Sequence, residues 1–73
     1  MRYYKLKIVA VDPKTDIWVS DEDGHLVVKE NGIIDEGLLP GKYFVEFGLG
    51  NTKYAIELTQ DMEYEERDLA RDS

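Results

Sequence analysis

The sequence predicts a small all-β domain, an antiparallel sandwich or barrel of six to seven strands. Turn-forming residues recur at intervals of about eight to twelve residues, which is typical of such folds. Between the turns, apolar and polar residues alternate with the period of two that is typical of a strand burying one face. No stretch carries the apolar stripe that a long amphipathic helix needs.

The first strand is predicted over 4–10, because its apolar residues at even positions share one face. Pro13 ends this strand, since proline cannot continue a hydrogen-bonded ladder, and the aspartates around it favour a turn. A short second strand follows over 17–19. The acidic segment Asp21–Gly24 is predicted to be a tight turn, with its glycine at a positive φ.

The pair Asn31-Gly32 predicts a β-hairpin, because these two residues favour the positive φ angles of tight hairpin turns. It would join a third strand over 25–29 to a short return strand over 33–35.

The most distinctive segment is the turn Pro40-Gly41 and the strand that it begins. Proline presets φ and glycine supplies the next positive φ, as in a type II turn. Tyr43, Val45 and Phe47 then alternate with polar residues or with Phe44, so these three side chains are predicted to face the core.

The last part of the chain continues the pattern. A glycine-rich turn at 48–51 precedes a strand over 52–58, and a final strand is predicted over 62–67. As a helix instead, this segment would place Met62 and Leu69 on one face, but Glu65 and Glu66 would interrupt the stripe. Residues 1–67 therefore form a single β domain, and residues 68–73 are predicted to be a charged tail.

Composition limits the classes of function. The chain has 73 residues, no cysteine and a formal net charge of −7, which argues against direct binding of nucleic acid. The first eleven residues lack the apolar run of a secretory leader, and no segment is long enough to span a membrane. We expect a cytoplasmic protein, or a virion-associated one if the source is a phage.

The charge is unevenly distributed along the chain. Residues 1–15 carry a net charge of +3, and residues 60–73 carry one of −4. Pairing of the first and last strands would bring these opposite charges together.

The sequence gives little support for a catalytic site. The chain has no cysteine, and Ser20, Asp23 and the single histidine, His25, fall on one turn without the base, orienter and oxyanion site that a triad needs. The acidic turn could bind calcium, but it lacks the further ligands of a helix-flanked calcium loop. We predict no enzymatic activity, no metal and no cofactor.

The run Gly37-Leu-Leu-Pro-Gly-Lys-Tyr-Phe-Val-Glu-Phe47 resembles the turn-strand of carboxypeptidase regulatory-like (transthyretin-like) and collagen-adhesin B-type domains. Those domains are Ig-like or transthyretin-like sandwiches of seven strands, with an Asp-Gly turn upstream such as Asp23-Gly24. The resemblance extends over about 16–67, and its specific part is short. It implies a spacer, stalk or binding accessory module.

The functional hint comes from apolar residues that are out of phase with the core faces: Trp18, Val27 and Phe44, with Tyr3 as a further member. Clustered on the surface, they would form an aromatic interface for a protein partner. The acidic residues Asp21, Glu22 and Asp23 would form its rim. Alternatively, a small curled sandwich buries both faces of its central strand.

We therefore predict a module that binds another protein or a second copy of itself. One alternative is a small acidic inhibitor of phage type, which would bind a basic, nucleic-acid-binding host protein. Another is an accessory module that stacks a carbohydrate on Trp18.

Overall fold

In the computed structural model, which describes residues 2–48 and 52–71, seven strands precede one short helix. The elements are β1 (Tyr4–Val9), β2 (Asp16–Asp21), β3 (Leu26–Asn31), β4 (Ile33–Leu38), β5 (Gly41–Phe47), β6 (Tyr54–Leu58), β7 (Met62–Glu65) and α1 (Glu66–Arg71). The predicted all-β fold of six to seven strands is confirmed.

The strands form two sheets that pack face to face. One sheet has three strands in the order β4-β1-β7, and the other has four in the order β3-β2-β5-β6. Every pair is antiparallel except β1–β7, which is parallel.

The core lies between the two sheets and is built from alternate residues of the strands. The largest fully buried side chains are Leu6, Ile8, Ile17, Val19, Ile34, Val45 and Leu58. The inward faces predicted for the first, fifth and sixth strands are confirmed, since Tyr43 is buried and Phe47 and Tyr54 pack against the core. Complete burial of each aliphatic side chain stabilises the fold by about 1.5–3 kcal/mol.

Gly32 does not form the predicted hairpin. The strands on either side of it belong to different sheets, because β3 pairs with β2 and β4 pairs with β1. The Gly32 amide donates to the Thr15 carbonyl, and the Ala10 amide donates to the Gly32 carbonyl, both at 2.8 Å. Gly32 has a φ of 77° and is pressed against Pro13. It is therefore a corner at which the chain passes from one sheet to the other.

The C-terminal segment also differs from the prediction of a strand to residue 67 and a tail from residue 68. β7 ends at Glu65, and residues 66–71 form a helical turn. Leu69 explains the difference: its side chain is only 8% exposed and belongs to the core cluster. Burial of this one apolar side chain anchors a segment that is otherwise mostly polar.

The first and last strands pair, and this juxtaposes their opposite charges. Two carboxylates from the acidic end bond to backbone amides near β1: Asp61 accepts from Lys5 at 2.8 Å, and Glu66 accepts from Val11 at 3.0 Å. The Lys5 ammonium instead pairs with Asp35, at 3.5 Å. The predicted turn at 48–51 lies outside the described residues, except for Gly48.

Candidate protein-binding surface

Trp18 and Phe44 lie on the outer face of the four-stranded sheet. Trp18 is opposite Glu46 across the β2–β5 pair, and Ser20 is opposite Phe44. Opposed residues share a face, so Trp18 and Phe44 are diagonal neighbours, with Cβ atoms about 7 Å apart. Both side chains are half-buried. The adjacent inward positions, Val19 among them, fill the core.

A third apolar side chain extends this surface. Leu26 of β3 is opposite Ser20, and Ala55 of β6 is opposite Phe44, so one row crosses all four strands. Leu26 is 58% exposed. We call Trp18, Leu26, Phe44 and Ala55 the Trp18–Phe44 face.

The sequence pattern did not identify Leu26 because a β-bulge shifts the phase of β3. Val28 is opposite Val19 and Leu26 is opposite Ser20, which leaves Val27 without a cross-strand partner. Val27 is 40% exposed at the bulge. The apolar run Leu-Val-Val contains no alternation from which the bulge could be inferred.

Charged side chains cover one end of this face. The Lys29 ammonium lies over the Trp18 ring, 5.7 Å from its centroid. Beside them, the Lys53 ammonium is 3.7 Å from a Glu46 carboxylate oxygen. The three charged side chains have a net charge of +1, and the Trp18 ring already lies beside a cation.

Tyr3 does not join the other aromatic residues. It precedes β1 in the three-stranded sheet, and its Cβ atom lies beside Gly37 of β4. Its side chain is 63% exposed. Of the four predicted contact residues, Trp18 and Phe44 are brought together, Val27 lies at the edge of the same sheet, and Tyr3 is on the other sheet.

The acidic residues form the turn between β2 and β3. The Asp21 carboxylate accepts hydrogen bonds from the amides of Asp23 and His25, at 3.0 and 2.9 Å. Potential ligand atoms of these three residues lie within 4.8 Å of one another. The hydrogen bonds to the turn amides explain the conformation of Asp21, so a bound cation is not needed to account for it. Glu22 and Asp23 are exposed.

The acidic turn lies next to the connection between β4 and β5. A shallow cleft of about 310 Å³ is lined by both turns, including Leu39 and Pro40. The Tyr43 hydroxyl donates to the Leu39 carbonyl and holds this connection in place. Burial, with a smaller contribution from the Asp21 carboxylate, raises the pKa of Tyr43.

Within residues 2–48 and 52–71, no helix combines the length and the apolar composition that crossing a membrane requires. No family model matches the chain, and neither a curated protein nor a solved structure is significantly similar to it.

Proposed function

We propose that this protein is a non-enzymatic binding module that docks another protein on the Trp18–Phe44 face. The proposal depends on one observation: Leu26, Trp18 and Phe44, from three neighbouring strands, share the face of the sheet that points away from the core. Aromatic side chains at the centre of an interface typically supply much of its binding energy.

The charge of the chain favours a basic partner. Two copies with a net charge of −7 each repel one another, which opposes self-association. Glu22 and Asp23 are exposed next to the row that contains Phe44. A partner with an apolar patch beside lysine or arginine residues would complement both features.

The resemblance at 37–47 supports the same class of function, because the domains that it resembles are accessory modules. The carbohydrate alternative is weaker, since a sugar that stacked on Trp18 would compete with Lys29 for the ring.

The acidic inhibitor remains the second candidate, and the net charge of −7 is what favours it. In that case charge would dominate the affinity for the partner, and binding would weaken steeply with salt. An apolar interface would be much less sensitive.

The test is capture of a partner from a lysate of the source organism by the immobilised chain and by two variants. We expect the double variant Trp18→Ser with Phe44→Ser to recover about tenfold less of the partner that the wild-type chain recovers. Tyr3→Ser is the matched control, since it removes an exposed aromatic residue from the other sheet. Circular dichroism checks that each variant is folded.

Two results would overturn the proposal: equal recovery by the double variant and the wild type, or loss of the partner with Tyr3→Ser alone. Repeating the capture at low and high salt separates the candidates. Loss of the partner at high salt favours the acidic inhibitor.

A further inference from the structure

β6 is an edge strand whose free edge lines a groove. Within the described parts of the chain, it pairs only with β5. Five consecutive residues, 53–57, line a groove of about 530 Å³ together with Tyr64 and Leu69. Consecutive strand residues point alternately to opposite faces, so all five can line one groove only along the edge of the strand. The backbone that would pair with a further strand is therefore part of the groove.

The lining of this groove combines apolar and aromatic side chains with the charged residues Lys53 and Glu57. Ile56 and Leu69 are buried at its base, and Tyr54 and Tyr64 are half-buried beside them. The Tyr64 hydroxyl donates to the Met62 sulfur at 3.4 Å, and sulfur is a weak acceptor. This hydroxyl could form a stronger hydrogen bond with a backbone carbonyl of a segment in the groove.

The rim of the groove is acidic. Lys53 is paired with Glu46, and Arg67 is paired with Glu65 at 3.1 Å. Glu57 and Asp68 are exposed, and neither has an ion-pair partner among the described residues. Glu57 lines the groove opposite Lys42 of β5, and Asp68 precedes the lining residue Leu69. Residues 57–69 together carry six acids and one arginine, so the surroundings of the groove are negative overall.

We infer that the free edge of β6 binds an extended segment of a partner protein, with alternating aliphatic and basic side chains. The segment would add a fifth strand to the four-stranded sheet by backbone hydrogen bonding. Its aliphatic side chains would contact Ile56, Tyr64 and Leu69, and its basic side chains would face Glu57 and Asp68. The five residues of β6 extend over about 17 Å, enough to pair with a segment of similar length.

This inference does not rest on the proposed Trp18–Phe44 interface. The two surfaces share Ala55, but the groove is formed by the edge of β6 with Tyr64 and Leu69, whereas Trp18 and Phe44 lie on β2 and β5. A second copy is disfavoured as the occupant, since it would bring two acidic rims together.

The experiment uses a labelled, end-capped peptide of seven alternating lysine and valine residues as the probe. Fluorescence anisotropy measures its affinity, and amide hydrogen exchange locates the site. We expect slower exchange within Tyr54–Leu58 when the peptide is bound. A peptide in which glutamate replaces lysine should bind far more weakly, because the rim would repel it.

Two double variants that change the net charge by the same amount distinguish binding in the groove from an effect of the overall charge. Glu57→Lys combined with Asp68→Lys should weaken binding by about tenfold. Glu36→Lys combined with Glu30→Lys, on the opposite side of the sandwich, should have little effect. All four residues are exposed, so folding should be retained.

Absence of protection within Tyr54–Leu58 at millimolar peptide would overturn the inference. Equal weakening by the two double variants would also overturn it, since binding would then follow net charge alone. Protection of the same amides without peptide, increasing with protein concentration, would identify a second copy as the occupant and likewise overturn it.

Discussion

The two lateral edges of the sandwich differ in chemistry. Strands β3 and β4 form one edge, and strands β6 and β7 form the other. On the β3–β4 side, Glu30 is opposite Ile17 and Glu36 is opposite Leu6, so both acids lie on the core-facing sides of their strands, yet both are exposed. β3 also carries a bulge at Val27. On the β6–β7 side, the corresponding positions are apolar or aromatic: Tyr54, Ile56, Leu58, Met62 and Tyr64.

The two edges of this small sandwich therefore differ in how easily another strand could pair with them. Inward-facing charges and bulges prevent a strand edge from pairing with another chain. The β3–β4 side has both devices, whereas the β6–β7 side has a groove lined by apolar, aromatic and charged side chains. We interpret the first side as protected and the second as available to a partner of opposite charge.

The largest expected effect is at Gly32, the corner that connects the strands of the protected side. A Cβ atom there would lie 2.6 Å from the Pro13 carbonyl oxygen, and the φ of 77° is unfavourable for other residues. Gly32→Ala should therefore lower the free energy of unfolding by roughly 3 kcal/mol. Urea denaturation followed by Trp18 fluorescence measures the change.

Gly24→Ala is the matched control for this prediction. Gly24 has a similar φ, 86°, but a Cβ atom would meet nothing within 4 Å. Its cost should be about 1 kcal/mol, from backbone conformation alone. Equal costs at the two glycines would contradict the role of Gly32 as a packed corner.

A smaller effect is expected when an inward-facing acid is removed from the protected side. Glu36→Val should make the edge of β4 apolar and promote self-association, with an association constant at least about tenfold above that of the wild type. Sedimentation velocity at several concentrations measures it. Glu36→Gln, which removes the charge but stays polar, should associate less. A Glu36→Val protein that stays monomeric throughout would show that this acid does not protect the edge.

The smallest effects concern two tyrosine hydroxyls. Tyr43→Phe removes a hydrogen bond to the Leu39 carbonyl and should cost about 1 kcal/mol of unfolding free energy at pH 7. Tyr64→Phe loses only a bond to sulfur and should cost about 0.5 kcal/mol or less. A cost at Tyr64 as large as that at Tyr43 would mean that the hydroxyl in the groove is not available to a partner.

Tyr43 and Tyr64 should also determine how the free energy of unfolding changes at alkaline pH. Burial raises the pKa of Tyr43 and of Tyr64 above the ordinary value of 10.0. The unfolded chain therefore loses these protons at a lower pH than the folded protein does. Unfolding free energy should be at its full value below pH 10 and should fall as the pH rises above it. Each Tyr→Phe variant should reduce this decline in denaturation curves collected across that range.

Local alternation was enough to predict most strands and the side chains that they bury. The spacing of Tyr43, Val45 and Phe47 identified both the strand and its inward face. Alternate residues of a strand lie on the same face, and these three are the ones that pack in the core. The same reasoning placed Phe44 on the outer face. It could not place Leu26 there. The bulge in β3 shifts which residues face outward, and the uninterrupted apolar run Leu26-Val27-Val28 does not reveal that shift.

Two features depend on contacts between distant parts of the chain. Asn31-Gly32 has the local preferences of a hairpin, but hydrogen bonds with Thr15 and Ala10 make it a corner between sheets. Leu69 would share a helical face with Met62, but Glu65 and Glu66 interrupt that face, so the spacing favoured a strand. Its burial becomes favourable only when the ends of the two sheets are assembled around it.

The fold class, the inward faces of the first, fifth and sixth strands and the acidic character of the chain can all be predicted from the sequence alone. These follow from local alternation, turn residues and charge, which need no knowledge of neighbours. Assembly of the whole chain sets which strands pair, places Trp18 on one face with Phe44 and Leu26 while Tyr3 lies on the other sheet, and leaves the edge of β6 lining a groove. Those properties depend on register and sheet order, which are set by burial of all the strands together.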